Sequence, residues 1–543
     1  MGNLLYSYAK PQNNASRDYA HGSEDRKLLK EAIDYVSSQF IEVPLIINGK
    51  EIRTGDTGDI VMPHCHSHKL GVYHKAKESD VKLAIESAMD AHREWSAMPC
   101  TDRAAIMMRI AELIDKKYRY ILNAATMMGQ SKNAWQAEIE AASETIDYFR
   151  FGAHFMSNIY LNQPSSEYGA INYMEYRALE GFVYAVTPFN FTAIAANLPM
   201  APVLMGNTVL WKPATTSLLS SYYLMKIFME AGLPAGVLNF IPGSGAISSK
   251  VVLASKDLAG IHFTGSTKVF NGLWKGVAEN IENYRSYPRI VGETGGKDFI
   301  FMHASADARE TATAIIRGAF EYQGQKCSAA SRGYIPQSRW NELREILSEM
   351  AAEVKVGDPR DFRNFVNAVI DEPSFDNCMD YINYAKTSPE AEIIFGGTGD
   401  KSLGYFVQPT IIKTDNPHFK SMEEEIFGPI FTLYVYDDDK FEETLKICDG
   451  TSPYALTGSI FARDRNAIRR ANEVLKYAAG NFYINDKPTG ACVALQPFGG
   501  GRASGTNDKA GSELNLLRWV SVRTVKETLL PASNFAYPFM DGE

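Results

Sequence analysis

Cysteine is scarce in this chain, six among 543 residues, and Cys65, Cys100, Cys327, Cys378, Cys448 and Cys492 show none of the short paired spacings of a stapled module. Free thiols in a reducing compartment are expected. A surplus of one charge is also missing: 55 basic against 64 acidic residues leave a net −9, which offers nucleic acid or an anionic membrane no broad attraction. The opening stretch Met1 to Tyr19 carries Lys10 and Arg17 but no apolar core for a secretory signal, and it is too weakly basic for a mitochondrial leader. Met1-Gly2 starts like a myristoylation signal, but Tyr6 stands where Ser or Thr is needed. We expect an ordinary flexible start. The one long hydrophobic run, Thr192 to Trp211, is interrupted by Asn197, Pro199, Pro202, Gly206 and Asn207, so it reads as a buried helix followed by a strand. No membrane insertion, nucleic acid partner, fixed-period repeat or low-complexity tract is expected.

What is present is core material. Apolar residues make up 45% of the chain, enough for about three domains or one large composite fold. Leu29 to Phe40 and Ser79 to Trp95 have the spacing of amphipathic helices, Leu45 to Lys50 that of a hairpin, and Arg103 to Asn158 that of almost unbroken helix. Gly181 to Val186, Thr208 to Trp211, Val237 to Ile241 and Gly260 to Phe263 are short apolar strands alternating with helices such as Ser217 to Ala231. A second block, with Ile290-Val291, Phe299 to Met302, Arg332 to Ile335 and Tyr405 to Ile412 as strands, repeats the pattern. Alternation of this kind predicts an α/β fold with parallel sheets.

Several constellations could carry chemistry. His64, Cys65, His66 and His68 look like metal ligands, and in a strand the histidines would share one face, but no second ligand group at zinc spacing accompanies them. We expect no metal. Gly243-Ser244-Gly245 and Thr264-Gly265-Ser266-Thr267 each follow a strand and open a helix. The first alone is weak, since Ser248 replaces the third glycine of the dinucleotide fingerprint; the two together make an adenine dinucleotide cleft reasonable. Cys327, in Gly324-Gln325-Lys326-Cys327-Ser328, has polar neighbours and reads either as an inert buried thiol or as a nucleophile helped by Lys326. Glu293 reads as a turn carboxylate or as a base, and Asn190 as a cap or as a donor.

From about Phe40 to Leu530 the chain resembles the aldehyde dehydrogenase superfamily. The resemblance is carried by Pro188-Phe189-Asn190, Trp211-Lys212-Pro213, Phe263-Thr264-Gly265-Ser266, Glu293-Thr294-Gly295-Gly296-Lys297, Gly324-Gln325-Lys326-Cys327 and Glu424-Glu425-Ile426-Phe427-Gly428-Pro429. Phe240-Ile241-Pro242, Gln496-Pro497-Phe498-Gly499-Gly500 and Arg502 to Lys509 resemble the branch acting on L-glutamate γ-semialdehyde in proline breakdown. A dehydrogenase for another small semialdehyde or aliphatic aldehyde is the alternative, and a non-catalytic scaffold a third reading. The resemblance implies Cys327 as nucleophile, Asn190 as oxyanion donor and Glu293 as general base. It implies NAD contacts from Pro188, Phe189, Lys212, Gly265, Ser266, Glu425 and Phe427, with Thr215 leaving some use of NADP open. Substrate contacts are implied for Phe191, Ser328, Gly490, Ala491 and Phe498, and for Glu144 toward an ammonium; close relatives often have Ser in place of Ala491.

It further implies a Rossmann-like NAD domain over residues 1–159 and 181–291, a catalytic α/β domain over 292–505, and an oligomerisation flap and tail over 160–180 and 506–543. A homodimer or an assembly of dimers is expected, with contact to a proline-oxidising enzyme. The expected compartment is the cytoplasm, or the mitochondrial matrix in a eukaryote.

Overall fold

The computed structural model describes residues 7–542; Met1, Gly2 and Tyr6 of the rejected acylation motif lie outside them. Two seven-stranded sheets organise the chain. The first runs, in spatial order, Arg289–Glu293, Leu258–Thr264, Phe182–Val186, Thr208–Lys212, Leu238–Phe240, Leu45–Ile47 and Lys50–Ile52. Its first five strands are parallel, while Leu45–Ile47 joins antiparallel and turns at Asn48-Gly49, both with positive φ, into Lys50–Ile52. The central strands are almost wholly buried because helices cover both faces, and this is why they read as continuous apolar runs. The two-residue period sorts their side chains. Val183, Ala185, Val209 and Trp211 enter the core under the amino-terminal helices, whereas Phe182, Tyr184 and Leu210 enter the core on the other side.

The second sheet runs Ala391–Phe395, Thr410–Thr414, Ile430–Tyr436, Ala330–Pro336, Asp298–Met302, Thr457–Phe461 and Asn481–Ile484, parallel except for its first strand. Phe299 and Phe301 pack on one face, Ile300 and Met302 on the other. The two sheets are consecutive in the chain, joined by Thr294-Gly295-Gly296-Lys297 alone. A β-carbon on Gly295 would strike the Glu425 carboxylate, and one on Gly296 the Cys327 carbonyl and the Asp298 carboxylate. Glycine is required there by close approach.

Five expectations are corrected. Ile290-Val291 belongs to the first sheet, paired parallel with Ile261-His262. Tyr405 to Ile412 is not one strand: Phe406–Val407 pairs with Gly399–Asp400, and after Pro409, which has no N–H, Thr410–Thr414 joins the main sheet. The long helix breaks at Ser131, where φ is 55°, and restarts behind Asn133, whose side chain accepts the Gln136 N–H at 2.9 Å. The histidines do not converge: His64 lies before the strand Cys65–His74 that carries the other two. His64 is buried beside Ser131, His66 meets the Lys401 carbonyl and His68 the Ser37 carbonyl, and no group among the described residues is arranged to hold a metal. Finally, the start of the chain is not loose from Tyr8 onward: the Tyr8 N–H donates to Ser157 Oγ at 3.2 Å and the Asn14 N–H to Asp147 Oδ1 at 2.8 Å.

Thr192 to Trp211 is a buried helix, Thr192–Leu204, followed by the strand Thr208–Lys212, and no helix of the described residues is long and apolar enough to cross a membrane. Ala170–Arg177 and Ser521–Thr528 form an exposed antiparallel ribbon in register over their whole length.

Crowding at the inter-sheet crossing sets an expectation. Gly296→Ala should destabilise the fold by about 1–3 kcal/mol through overpacking. Gly272→Ala, at an exposed helical site with open space around it, should stabilise it by about 0.5–1 kcal/mol. Thermal melts of the two variants beside the parent check both signs.

Candidate active site

Order in the first sheet fixes where a ligand belongs. From Phe182–Val186 the chain moves outward through Thr208–Lys212 and Leu238–Phe240, then returns to place Leu258–Thr264 on the opposite side. The carboxyl ends of Phe182–Val186 and Leu258–Thr264 therefore flank a topological switch point, the crevice where open parallel sheets bind ligands. Pro188, Phe189 and Asn190 leave the first of these ends, Gly265 and Ser266 the second, and Lys212 ends the neighbouring strand. Helices start at the same edge: Gly245–Leu253 after Ser244, and Thr267–Glu279, where Ser266 Oγ accepts the Val269 N–H.

Their N-termini present backbone N–H groups to an anion. Burial, with no carboxylate beside it, pulls the Lys212 ammonium down to about 8. A bare buried amine at paired helix N-termini fits a pyrophosphate. Phe427, at φ 59°, packs edge-on against Phe189 with centroids 5.8 Å apart, and Glu425 accepts the Gly296 N–H at 2.9 Å. Thr215 opens a short helical turn after Lys212. These side chains fit a dinucleotide running from the helix N-termini toward Cys327.

Cys327 is buried at the junction of two spaces. A funnel of about 960 Å³ reaches it from outside, and on its far side a space of about 30 Å³, large enough for a water molecule, is lined by Thr264, Glu293, Cys327, Phe498 and Lys509. Glu293 ends the edge strand of the first sheet, its Oε2 accepting the Gly500 N–H at 3.1 Å. Burial raises its carboxyl well above the usual carboxylate range, against the opposing pull of that N–H and of Lys509. In its ionised form it is placed to take a proton from a water in that space. Asn190 is buried and donates one amide hydrogen to the Gln325 carbonyl at 3.0 Å, which orients the side chain and leaves its second N–H for an oxyanion.

Lys326 does not help the thiol as expected. Its Nζ is paired with Glu321 Oε2 at 2.9 Å inside the core. Burial pushes the Cys327 thiol up, the carboxyls of Asp298, Glu293 and Glu425 push it further, and only the Ser328 N–H opposes them. The resting thiol is therefore protonated.

The funnel has a polar end and an aromatic waist. Phe191 and Phe498 line the waist. Ser328 Oγ lies 2.9 Å from Thr489 Oγ1, beside Gly490, whose φ of 97° turns the loop, and Ala491. Lys487, at the same place, donates to the Thr489 carbonyl at 3.0 Å and so holds that loop. Across from it stands Glu144, whose carboxyl burial raises to about 8, with Glu140 and Asp147 adding and Lys132 opposing. All sixteen residues proposed from sequence lie along the funnel or around the switch-point crevice.

Sequence reasoning missed Lys132, which pairs with Glu140 Oε1 at 2.7 Å and sits 4.3 Å over the Phe191 ring and 4.4 Å over the Tyr322 ring. Gln325, Thr489 and Lys487 were missed as well. Lys132 had no signal, because only the break at Ser131 turns it inward; Gln325 and Thr489 adjoined quoted motifs.

The sequence profile of the aldehyde dehydrogenase family matches residues 52–525. The chain belongs to the aldehyde dehydrogenase family. Within that family it is 54% identical over 533 residues to the mitochondrial Δ1-pyrroline-5-carboxylate dehydrogenase of Dictyostelium discoideum, covering 98% of this chain and 96% of that one. The NAD-bound crystal structure of the Mycobacterium tuberculosis Δ1-pyrroline-5-carboxylate dehydrogenase superimposes with a TM-score of 0.96 at 47% identity, over 99% of this chain and 100% of the other. Proline utilization A of Bdellovibrio bacteriovorus matches with a TM-score of 0.91 at 30% identity, over 96% of this chain but 53% of that longer one.

Two outcomes follow for an aldehyde dehydrogenase with this geometry. Cys327→Ala should abolish aldehyde oxidation, and Asn190→Ala should lower kcat by about 10² to 10³ with the fold intact, measured by steady-state kinetics beside a melting curve. A general base at Glu293 would act as its carboxylate, and burial raises its pKa, so kcat should climb as pH rises through that raised value; a pH–rate profile of Glu293→Gln should lack this limb.

Proposed function

We propose that this chain catalyses the NAD-dependent oxidation of L-glutamate γ-semialdehyde, the open form of Δ1-pyrroline-5-carboxylate, to L-glutamate in proline breakdown. One observation carries the reading: the funnel that ends at a buried cysteine also holds, at its other end, a carboxyl group facing a loop of N–H and hydroxyl donors. That pairing suits an aldehyde whose far end bears an ammonium and a carboxylate. The relatives from Dictyostelium and Mycobacterium are named for the same substrate.

In this reading the Cys327 thiol gives its proton to water in the space beside it and attacks the aldehyde carbon, and the alkoxide oxygen so formed accepts the free N–H of Asn190 together with the Cys327 backbone N–H. Bound NAD supplies the acceptor for the hydride, which leaves a thioester on Cys327. Ser266, with Gly265, would meet a hydroxyl or phosphate of the cofactor, Lys212 and Glu425 its riboses, and Phe427 would pack on the nicotinamide side, with Pro188 and Phe189 beside it. Glu293 takes a proton from water on its side of the thiol, and the hydroxide formed displaces Cys327 from the acyl group. Glu144 receives the ammonium, Ser328, Gly490 and Ala491 the carboxylate, and Phe191 and Phe498 the aliphatic middle. Thr215 puts no carboxylate against a 2′-phosphate, which leaves NADP a lesser co-substrate.

The domain division 1–159 with 181–291, 292–505, and 160–180 with 506–543 is part of the proposal. So is a homodimer or assembly of dimers, because a two-stranded ribbon exposing Ile171, Tyr173 and Val522 is marginal unless a neighbour covers it. The six free cysteines fit a reducing compartment, the cytoplasm or the mitochondrial matrix. A separate proline-oxidising enzyme supplying the substrate is the proposed partner, since proline utilization A extends well beyond the matched region.

NADH formation with Δ1-pyrroline-5-carboxylate, succinate semialdehyde and hexanal tests the reading. The first should have the highest kcat/KM, and Glu144→Gln should raise its KM while leaving that of hexanal unchanged. Preference for either other aldehyde would overturn the substrate.

A further inference from the structure

One wall of the funnel belongs to no helix or strand. Asn13, Asn14, Ser16 and Tyr19, from the segment that precedes the first helix, Glu24–Ser38, line its mouth. The segment is held by carboxylates of the long helical region. The Arg17 N–H donates to Glu138 Oε1 at 2.8 Å and the Tyr19 hydroxyl to Glu138 Oε2 at 2.6 Å, while Asn14 Oδ1 accepts from Arg119 at 2.6 Å. These contacts lay the segment along one side of the funnel.

Asn13 does something different. Its Nδ2 donates one hydrogen to Asp147 Oδ2 at 2.9 Å and the other to the Val493 carbonyl at 2.9 Å. Asp147, in the first turn of the helix Thr145–Leu161, lies about one turn beyond Glu144, the last residue of the helical segment Glu138–Glu144 that runs into it. Val493 ends the stretch that begins with Thr489, Gly490 and Ala491. A single amide nitrogen therefore joins the helix that carries the ammonium-facing carboxyl to the loop that carries the carboxylate-facing donors. Loss of the amide would leave buried Asp147 with the Asn14 N–H as its remaining described donor, and a carboxylate hydrogen bond is among the stronger ones.

We propose that Asn13 is a positioning residue for the substrate. It fixes the spacing between Glu144 and the Gly490-Ala491 loop, and through that spacing it sets the affinity for aldehydes whose far end bears both charges. The inference rests on the proposed substrate. An aldehyde lacking those charges grips neither surface, so its binding does not depend on the spacing. The hydride and hydrolysis steps at Cys327 do not depend on it either, because Asn13 touches none of the reacting groups.

The test is steady-state kinetics of the full chain with NAD, using Δ1-pyrroline-5-carboxylate and propanal, for wild type and for Asn13→Ala, Asn13→Gln and Asn13→Asp, with a melting curve for each. Asn13→Ala should raise KM for Δ1-pyrroline-5-carboxylate about tenfold with kcat within about twofold, consistent with losing a hydrogen bond to a charged group. KM for propanal and for NAD should not move. Asn13→Asp, which sets an acceptor against two acceptors, should raise the same KM further, and Asn13→Gln, which keeps the amide, should recover part of the loss. If Asn13→Ala does not fold, Asn13→Ser carries the same expectation, since its short hydroxyl cannot reach both atoms. Unchanged KM in the folded variants, an equal rise for both aldehydes, or no difference between Ala and Gln would overturn the role of Asn13. Failure of wild type to oxidise Δ1-pyrroline-5-carboxylate would instead overturn the proposed substrate, and with it this use of Asn13.

Discussion

Everything at this site depends on how closely the backbone passes beneath the nucleophile where it crosses from one sheet to the other. Glu293 closes the edge of the first sheet and Asp298 opens the middle of the second, with Gly295 and Gly296 threading the gap between the Glu425 carboxylate and the Cys327 carbonyl. Two bare positions let the sheets approach until a base from one faces a thiol from the other. With any side chain at Gly296 the sheets would have to part, and Glu293 would move away from the space it shares with Cys327. The fold's division into two sheets and the chemistry of the site are thus one constraint.

That closeness has an electrostatic consequence. Three carboxyl groups, those of Asp298, Glu293 and Glu425, surround a thiol that burial has already made reluctant to ionise. The neighbouring cation of Lys326 is committed to Glu321, so it gives the thiolate nothing. Burial therefore disfavours the ionised form of both Cys327 and Glu293, as it does for any buried acid. Their ionised forms are called up by the reaction rather than stored.

The funnel applies the same economy to substrate. Glu144 and the Ser328, Thr489 and Gly490 loop line it together with the aromatic rings of Phe191 and Phe498, which make no polar demands. Buried Lys132 braces the Phe191 ring while paired with Glu140, so one ion pair both neutralises a carboxylate near Glu144 and fixes an aromatic wall. The two ends of the pocket come from segments hundreds of residues apart, and the start of the chain spans the gap between them through Asn13.

Much of this was legible beforehand. Continuous apolar strands separated by amphipathic helices identify parallel sheets because burial on both faces leaves no polar alternation, and short motifs around Cys327, Glu293 and Asn190 mark the reacting groups. Local pattern misplaced what depends on distant neighbours. Ile290-Val291 has the same composition whichever sheet it joins, and a helical period continues on paper through Ser131 although the chain turns there. By itself the sequence determined the fold class and the family, and it named the candidate side chains, since each follows from residue type and local order. Only the tertiary structure decided that Lys326 neutralises Glu321 instead of serving the thiol, that Lys132 packs over the Phe191 ring, and that the amino-terminal segment forms a wall. Pairing partners and burial are properties of three-dimensional proximity, and no local spacing encodes them.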